Sequence, residues 1–440
     1  MSFKANHFVL SLFVCLLTGC NFDVVIEGEG RVVSDPAGID CSSTGGNCTV
    51  ESYEKLGDGN DEVITTLTAY PAEGQRLAGW IGCDNTHHHQ CYKLMEGNIE
   101  ITAIFEPVPL AATEAPAETV RFVALGDFGE GNLAQEMVGN AMQAVCDEAG
   151  GCDFAIGLGD NIYDENPQSV YEDVFERKFE FPYRNVQFPF YMSLGNHDNS
   201  LIFDGLGGFN HSGEVQVAYT YRTDKMSQKW QMPARYYTHT HPKNKAEKLV
   251  DFFVLDSNPM ITPLDINPEY ETNLYKKLQG EWFDSKLAGS VATWKIAYTH
   301  HPYISNGQHG NAGLYDGVPA LDPALTARIS GETYRKWFEQ HVCGKVDVFF
   351  AGHDHELQVL KSVPECGNTY FVISGAGAKS RDFADRNRNQ VWYQQDNRTG
   401  FVMAEIAGNT MTISVYLVDG TTGEYENSFV KSFPRRDLTQ

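Results

Sequence analysis

Five apolar, β-branched runs, each ending in a short polar cluster, constrain this chain more than any other feature. Residues 120–125 lead into Gly126-Asp127-Phe128-Gly129, and residues 154–158 into Gly159-Asp160-Asn161-Ile162-Tyr163. Residues 188–194 lead into Gly195-Asn196-His197-Asp198, residues 294–299 into His300-His301-Pro302, and residues 346–351 into Gly352-His353-Asp354-His355. Runs of that length and composition read as buried strands. Each delivers Asp, Asn, Tyr or His to a loop at a strand's C-terminal end, the edge where open α/β sheets bind ligands.

Together the clusters supply Asp127, Asp160, Tyr163, Asn196, His300, His353 and His355. The set is too large for one metal ion and suits two. Carboxylate, amide oxygen, phenolate and imidazole suit hard to borderline ions such as iron, zinc and manganese. With no thiolate among them, a structural zinc site is not expected. The two oxygens of Asp160 allow it to bridge both ions. Two metals roughly 3.5–4 Å apart clamp a phosphoryl group and activate a water for in-line attack.

In order and spacing the clusters resemble the metallophosphoesterase superfamily, and within it the purple acid phosphatases of the small, tartrate-resistant type. The resemblance runs from about residue 120 to about residue 433. It takes in Ala218-Tyr219, Trp230, Pro233, Tyr236-Tyr237 and Ser374-Gly375-Ala376-Gly377. Many relatives open on Asp-x-His; here Gly129 stands at the third position, and Tyr163 stands where the purple branch has its iron-binding tyrosine. The resemblance implies an α/β (α+β) fold, a four-layer sandwich of two mixed β-sheets flanked by helices. It implies a ferric (Fe3+) site of Asp127, Asp160, Tyr163 and His355. A divalent site for Fe2+, Zn2+ or Mn2+ would use Asp160, Asn196, His300 and His353. His197 would hydrogen-bond the phosphoryl group during attack by a metal-bound water or hydroxide, and His309 would help protonate the leaving oxygen. Both roles need a donor near neutral pH, which imidazole supplies. His301, beside His300, stays unassigned; Asp164, Asp198 and Asp354 either orient the ligands or are solvated.

Residues 1–20 read as a targeting segment. Lys4 precedes an apolar stretch over residues 8–17, too short to span a bilayer, that ends in Leu17-Thr18-Gly19-Cys20. The ending resembles a bacterial lipoprotein signal in which Cys20 becomes a lipid-anchored N-terminus; an ordinary signal peptide is the alternative. Asn21 leans, by the same resemblance, toward the outer membrane. Cysteine usage agrees with export: ten cysteines less Cys15 and Cys20 leave eight, in close pairs at 41/48, 83/91, 146/152 and 343/366. Local disulfides are expected in an oxidising compartment, with some free buried thiols as the alternative.

Residues 21–106 read as a small all-β unit with strands at 24–26, 63–69, 76–80 and 99–105. The stretch resembles a single bacterial surface repeat through Leu67-Thr68-Ala69, Gly79-Trp80 and Thr102-Ala103-Ile104-Phe105. His87-His88-His89 reads as a solvated loop tip rather than a metal site. Residues 107–119 form a Pro/Ala-rich, semi-rigid linker, and residues 120–436 the catalytic domain. There, residues 134–149, 168–179 and 271–287 read as helices, and 199–212 and 307–323 as loops. The formal charge of −25 argues against a nucleic-acid-binding module, which wants a basic footprint, and repels anionic substrates at long range; it is the resemblance that implies small phosphate esters as partners. The expected activity is phosphate monoester hydrolysis outside the cytoplasm. A diesterase or nucleotide hydrolase with the same metal site, and a surface adhesion protein with an inactive phosphatase domain, are the alternatives.

Overall fold

The computed structural model describes residues 21–435, except 36, 52–63, 73–74, 88–89, 95–97, 108–118, 201–204, 206, 244–247, 263–264, 266 and 319–325. The targeting segment with Cys20, His88, His89 and most of the linker therefore lie outside the described residues. The chain divides into two compact units, one up to Leu110 and one from Ala111 onward, Tyr221–Asp224 excepted.

The first unit is all β. One sheet runs Thr49–Glu51, Asn21–Glu27, Ile99–Pro107, Gln75–Ile81; the other centres on Gly30–Asp35 and Ile64–Pro71. Alternate residues Phe22 and Val24, Ile101, Ala103 and Phe105 turn inward onto Val32, Leu67 and Ala69, the period of two that a half-buried strand imposes. Disulfides Cys41–Cys48 and Cys83–Cys91 close its loops.

The second unit is a sandwich of two seven-stranded mixed sheets. In one, Trp230–Gln231, Phe190–Ser193, Phe154–Leu158 and Thr119–Leu125 run parallel, and Thr399–Ala407, Thr410–Val418 and Tyr425–Pro434 continue it antiparallel. In the other, Val250–Val254, Trp294–Tyr298, Val348–Ala351 and Tyr370–Ser374 are parallel, and Tyr237–His241, Leu357–Leu360 and Val391–Gln395 antiparallel. The sheets meet through aromatic edges: Phe122 packs on Phe252 at 5.1 Å and on Phe350 at 5.7 Å between ring centroids. Helix Leu133–Glu148, capped by Asn132 accepting from the Gln135 N–H, packs on the first sheet. Phe283 of Thr272–Gly289 and Tyr334, Trp337 and Phe338 of Glu332–His341 cover the second sheet at Phe253, Phe349 and Phe371. The order is helix, sheet, sheet, helix.

The helix expected over residues 168–179 is a correction. Only the five-residue π-helical turn Glu176–Glu180 forms at its end. Phe175 and Phe179 are buried against Trp230 at 5.8 and 5.0 Å, so aromatic packing takes the segment over from helical periodicity. Disulfides Cys146–Cys152 and Cys343–Cys366 form, and no free cysteine remains among the described residues.

Candidate metal centre

The parallel strands of both sheets end on one cleft. Asp127, Asp160 and His353 leave their strands with φ of 57°, 52° and 70°, left-handed conformations that cost a non-glycine residue about 1–3 kcal/mol each. Glycines make the approach possible. A Cβ on Gly195 would stand 2.2 Å from Asp160 Oδ1, and one on Gly352 2.5 Å from Asp127 Oδ2.

All seven expected ligand residues meet there, each less than a tenth exposed. Tyr163 Oη lies 3.1 Å from Asp127 Oδ1, 2.9 Å from Asp160 Oδ2 and 3.4 Å from His355 Nε2. His355 Nε2 is 3.3 Å from Asp127 Oδ1. On the other side of Asp160, His300 Nε2 stands 3.4 Å from its Oδ2, 2.8 Å from Asn196 Oδ1 and 3.0 Å from His353 Nδ1.

Hydrogen bonding decides what these atoms present. His300 Nδ1 donates to the Leu158 carbonyl at 2.8 Å, so Nε2 is the nitrogen that presents a lone pair when the ring is neutral. Asn196 Nδ2 donates to the Gly205 carbonyl at 2.8 Å, which turns Oδ1 inward. With the His300 ring deprotonated, His300 Nε2, His353 Nδ1, Asn196 Oδ1 and Asp160 Oδ2 converge on one another, a donor set that fits a cation. Burial opposes charging His300, but the Asp160 and Asp127 carboxylates outweigh it and hold its pKa up to about 9; the same field favours a metal ion. Burial and the charges of Asp127 and Asp160 push the Tyr163 phenol well above its usual pKa, so only a strongly polarising cation releases that proton. Asp127, Asp160 and His300, and separately His300, His301 and His353, each offer ligand atoms within 4.8 Å of one another.

The two expected proton-handling histidines flank this cluster. The His197 N–H donates to Asp160 Oδ1 at 3.0 Å and its ring lies 4.4 Å from that of Tyr163. His309 stacks on His353 at 3.9 Å, and its Nδ1 pairs with Asp316 Oδ1 at 2.8 Å. Asp198 and Asp354 are buried and orient loops. Asp198 accepts from the N–H groups of Asn161, Ile162 and Gly195, and Asp354 from those of His309 and Gly310. Asp164 is exposed.

Sequence reasoning missed two neighbours, Lys379 and Asp316, and left a third, His301, unassigned. His301 is buried with Nδ1 2.8 Å from Ser257 Oγ and its ring 4.4 Å from His353; its place beside His300 was the available signal. Lys379 holds Nζ 3.3 Å from the centroid of the Tyr163 ring, and Asp316 partners His309; neither carries a motif.

Tartrate-resistant acid phosphatase type 5 of Rattus norvegicus is 29% identical over 355 residues, covering 74% of this chain and 94% of its own. The Homo sapiens protein of the same name is 28% identical with the same coverage. Purple acid phosphatase 3 of Arabidopsis thaliana is 27% identical, covering 69% of this chain and 75% of its own. Among solved structures, GAP50, the anchor in the inner membrane complex of Plasmodium, superposes with a TM-score of 0.54 at 17% identity, covering 73% of this chain and 90% of that one, a likeness of fold. Residues 120–357, which carry all five clusters, match the calcineurin-like phosphoesterase family, and the chain belongs to it.

Proposed function

We propose that this chain is an exported dimetal phosphomonoesterase of the purple acid phosphatase type. The observation that carries the reading is the shared, buried Asp160, with Tyr163 Oη at 2.9 Å on one side and His300 Nε2 at 3.4 Å on the other. Asp127, Asp160, Tyr163 and His355 would hold a ferric ion, the cation a phenolate prefers. Asp160, Asn196, His300 and His353 would hold Fe2+, Zn2+ or Mn2+. Bound there, the ions supply Lewis acidity and lower the pKa of water to near neutrality.

The chain's own groups do the rest. His197, fixed through its backbone to Asp160, donates to the phosphoryl oxygens as their charge grows. His309 spends Nδ1 on Asp316 and has Nε2 for the leaving oxygen. Burial opposes protonation of His309, but the Asp316 hydrogen bond and the charges of Asp354 and Asp316 hold its pKa above the usual imidazole value. It is therefore a proton donor in mild acid. Similarity to tartrate-resistant acid phosphatases supports monoesters as substrates.

The ending at Cys20 supports a lipid anchor at the outer membrane or the cell surface or periplasmic face, and four disulfides support an oxidising compartment. Residues 21–106 and the 107–119 linker would then space the catalytic unit from the membrane.

The test is hydrolysis of 4-nitrophenyl phosphate and bis(4-nitrophenyl) phosphate by the purified protein, with metal analysis and Asp160→Asn as control. Monoester preference, with bound iron, and loss of both metal and turnover in the variant is the expected result. Diester preference would move the assignment to a phosphodiesterase, and normal activity in Asp160→Asn would remove the shared-ligand role.

A further inference from the structure

The segment after the Ser374-Gly375-Ala376-Gly377 turn carries four basic residues, Lys379, Arg381, Arg386 and Arg388, against Asp382 and Asp385, in a chain whose net charge is −25. Three of the four are committed within the protein. Lys379 pairs with Glu130 above the Tyr163 ring. Arg386 pairs with Asp396. The Arg388 guanidinium donates to the carbonyls of Ser305 and Gly307 at 2.8 and 2.9 Å, bracing the loop that carries His309.

Arg381 differs. No carboxylate pairs with it and its guanidinium makes no hydrogen bond among the described residues. Its backbone is nevertheless fixed at the cleft: the Arg381 N–H donates to the carbonyl of His355 at 3.2 Å. The carbonyl of the next residue, Asp382, accepts from Gln308 Nε2 at 3.3 Å, beside His309. The residue is half-buried, and its charge is felt both at His309 and at the buried carboxyl of Glu356. Arg381 is thus held between the segment that carries His355 and the loop that carries His309, its guanidinium without a hydrogen-bond partner among the described residues.

We propose that Arg381 selects phosphate esters whose leaving group carries a second anionic group, a carboxylate or another phosphate. The inference rests on the phosphomonoesterase reading above. A guanidinium presents paired N–H donors in a rigid fork that matches both oxyanions. Such substrates are the ones the chain's net charge repels most, so a local cation is where discrimination in their favour has to come from.

Matched pairs test it. 4-(Carboxymethyl)phenyl phosphate and 4-methylphenyl phosphate have phenols of similar acidity and differ in the remote charge. Propane-1,3-diol bisphosphate and its monophosphate form the second pair, so the two arms separate carboxylate from phosphate recognition. The expected preference for the anionic member is about tenfold or more in kcat/KM, carried by KM, the scale of a hydrogen bond to a charged group. In Arg381→Ala the ratio falls to near one, Arg381→Lys keeps part of it, and Arg381→Glu inverts it. A wild-type ratio near one in both pairs, or a ratio that survives in Arg381→Ala, overturns the proposal. Calorimetric binding of 4-(carboxymethyl)benzylphosphonate against 4-methylbenzylphosphonate gives the same ratio without turnover. If no ester is hydrolysed, the phosphomonoesterase reading fails by itself, and the binding ratio still decides the role of Arg381.

Discussion

Asp198 is buried, 2% exposed, yet two site loops depend on it. Its carboxylate accepts from the N–H groups of Asn161, Ile162 and Gly195 and from Gln216 Nε2. It thereby fixes the loop from Asp160 to Tyr163 against the loop holding Asn196 and His197. Asp198→Ala leaves those donors buried without an acceptor, each costing about 1–3 kcal/mol. Metal affinity is expected to fall about 10–100-fold, the usual scale for groups that orient ligands, together with a lower Tm. A metal titration and melting curve superimposable on the wild type would show that the loops hold themselves. Tyr163 gives a sharper optical test. Its phenol sits between two carboxylates that resist its ionisation, so a ferric ion there produces a phenolate charge-transfer band. Tyr163→Phe is expected to abolish the visible absorption of the oxidised, iron-loaded protein while the fold persists; a band that survives would assign the colour elsewhere.

At the scale of elements, strand Tyr237–His241 places two imidazoles in the interface between the sheets. His239 stacks between Tyr191 at 4.0 Å and Phe252 at 4.6 Å, and its Nδ1 lies 3.1 Å from His241 Nε2. Burial, then neighbouring positive charge, pushes both pKa values well below the ordinary 6.5. The sign follows from linkage: the unfolded chain takes up these protons first. The stability they contribute is complete above pH 6.5 and is lost as pH falls below it, by up to about 1.4 kcal/mol per pH unit for each imidazole. Urea midpoints should therefore drop between pH 7 and pH 5, and His241→Gln should flatten that slope. An unchanged slope in the variant would place the acid sensitivity in other groups. The strands that matter were legible in sequence because each is a short apolar run, four of the five ending at a glycine and the fifth at His300-His301-Pro302. The segment at residues 168–179 was not, because Phe175 and Phe179 show helical spacing but are recruited by Trp230 in a distant stretch. The ligand cluster was legible because its residues sit directly at strand ends. Asp316 and Lys379 were not: each reaches the site from a loop whose course depends on the tertiary fold.

At the scale of the whole molecule, the charge balance sets two opposing electrostatic ranges. Thirty-three basic against fifty-eight acidic residues leave −25, which repels a phosphate ester well outside the cleft. Within it, Arg381 and the ions that the ligand cluster would hold would attract the same ester at contact distance. Salt acts unequally on the two, because charges separated by more than a Debye length of about 10 Å at 0.1 M are screened, whereas partly buried contacts are screened much less. Raising the salt from low millimolar to about 0.15 M should therefore increase kcat/KM for a simple aryl phosphate by about two- to fivefold, mostly through KM, as long-range repulsion is removed before local attraction. The rise should be smaller for an ester with an anionic leaving group, because part of its binding depends on the half-buried Arg381. Initial rates across a sodium chloride series check this. A fall in kcat/KM over the same range would mean that the cations of the cleft govern approach from a distance, and that the acidic surface is arranged to leave the cleft's field open to solvent.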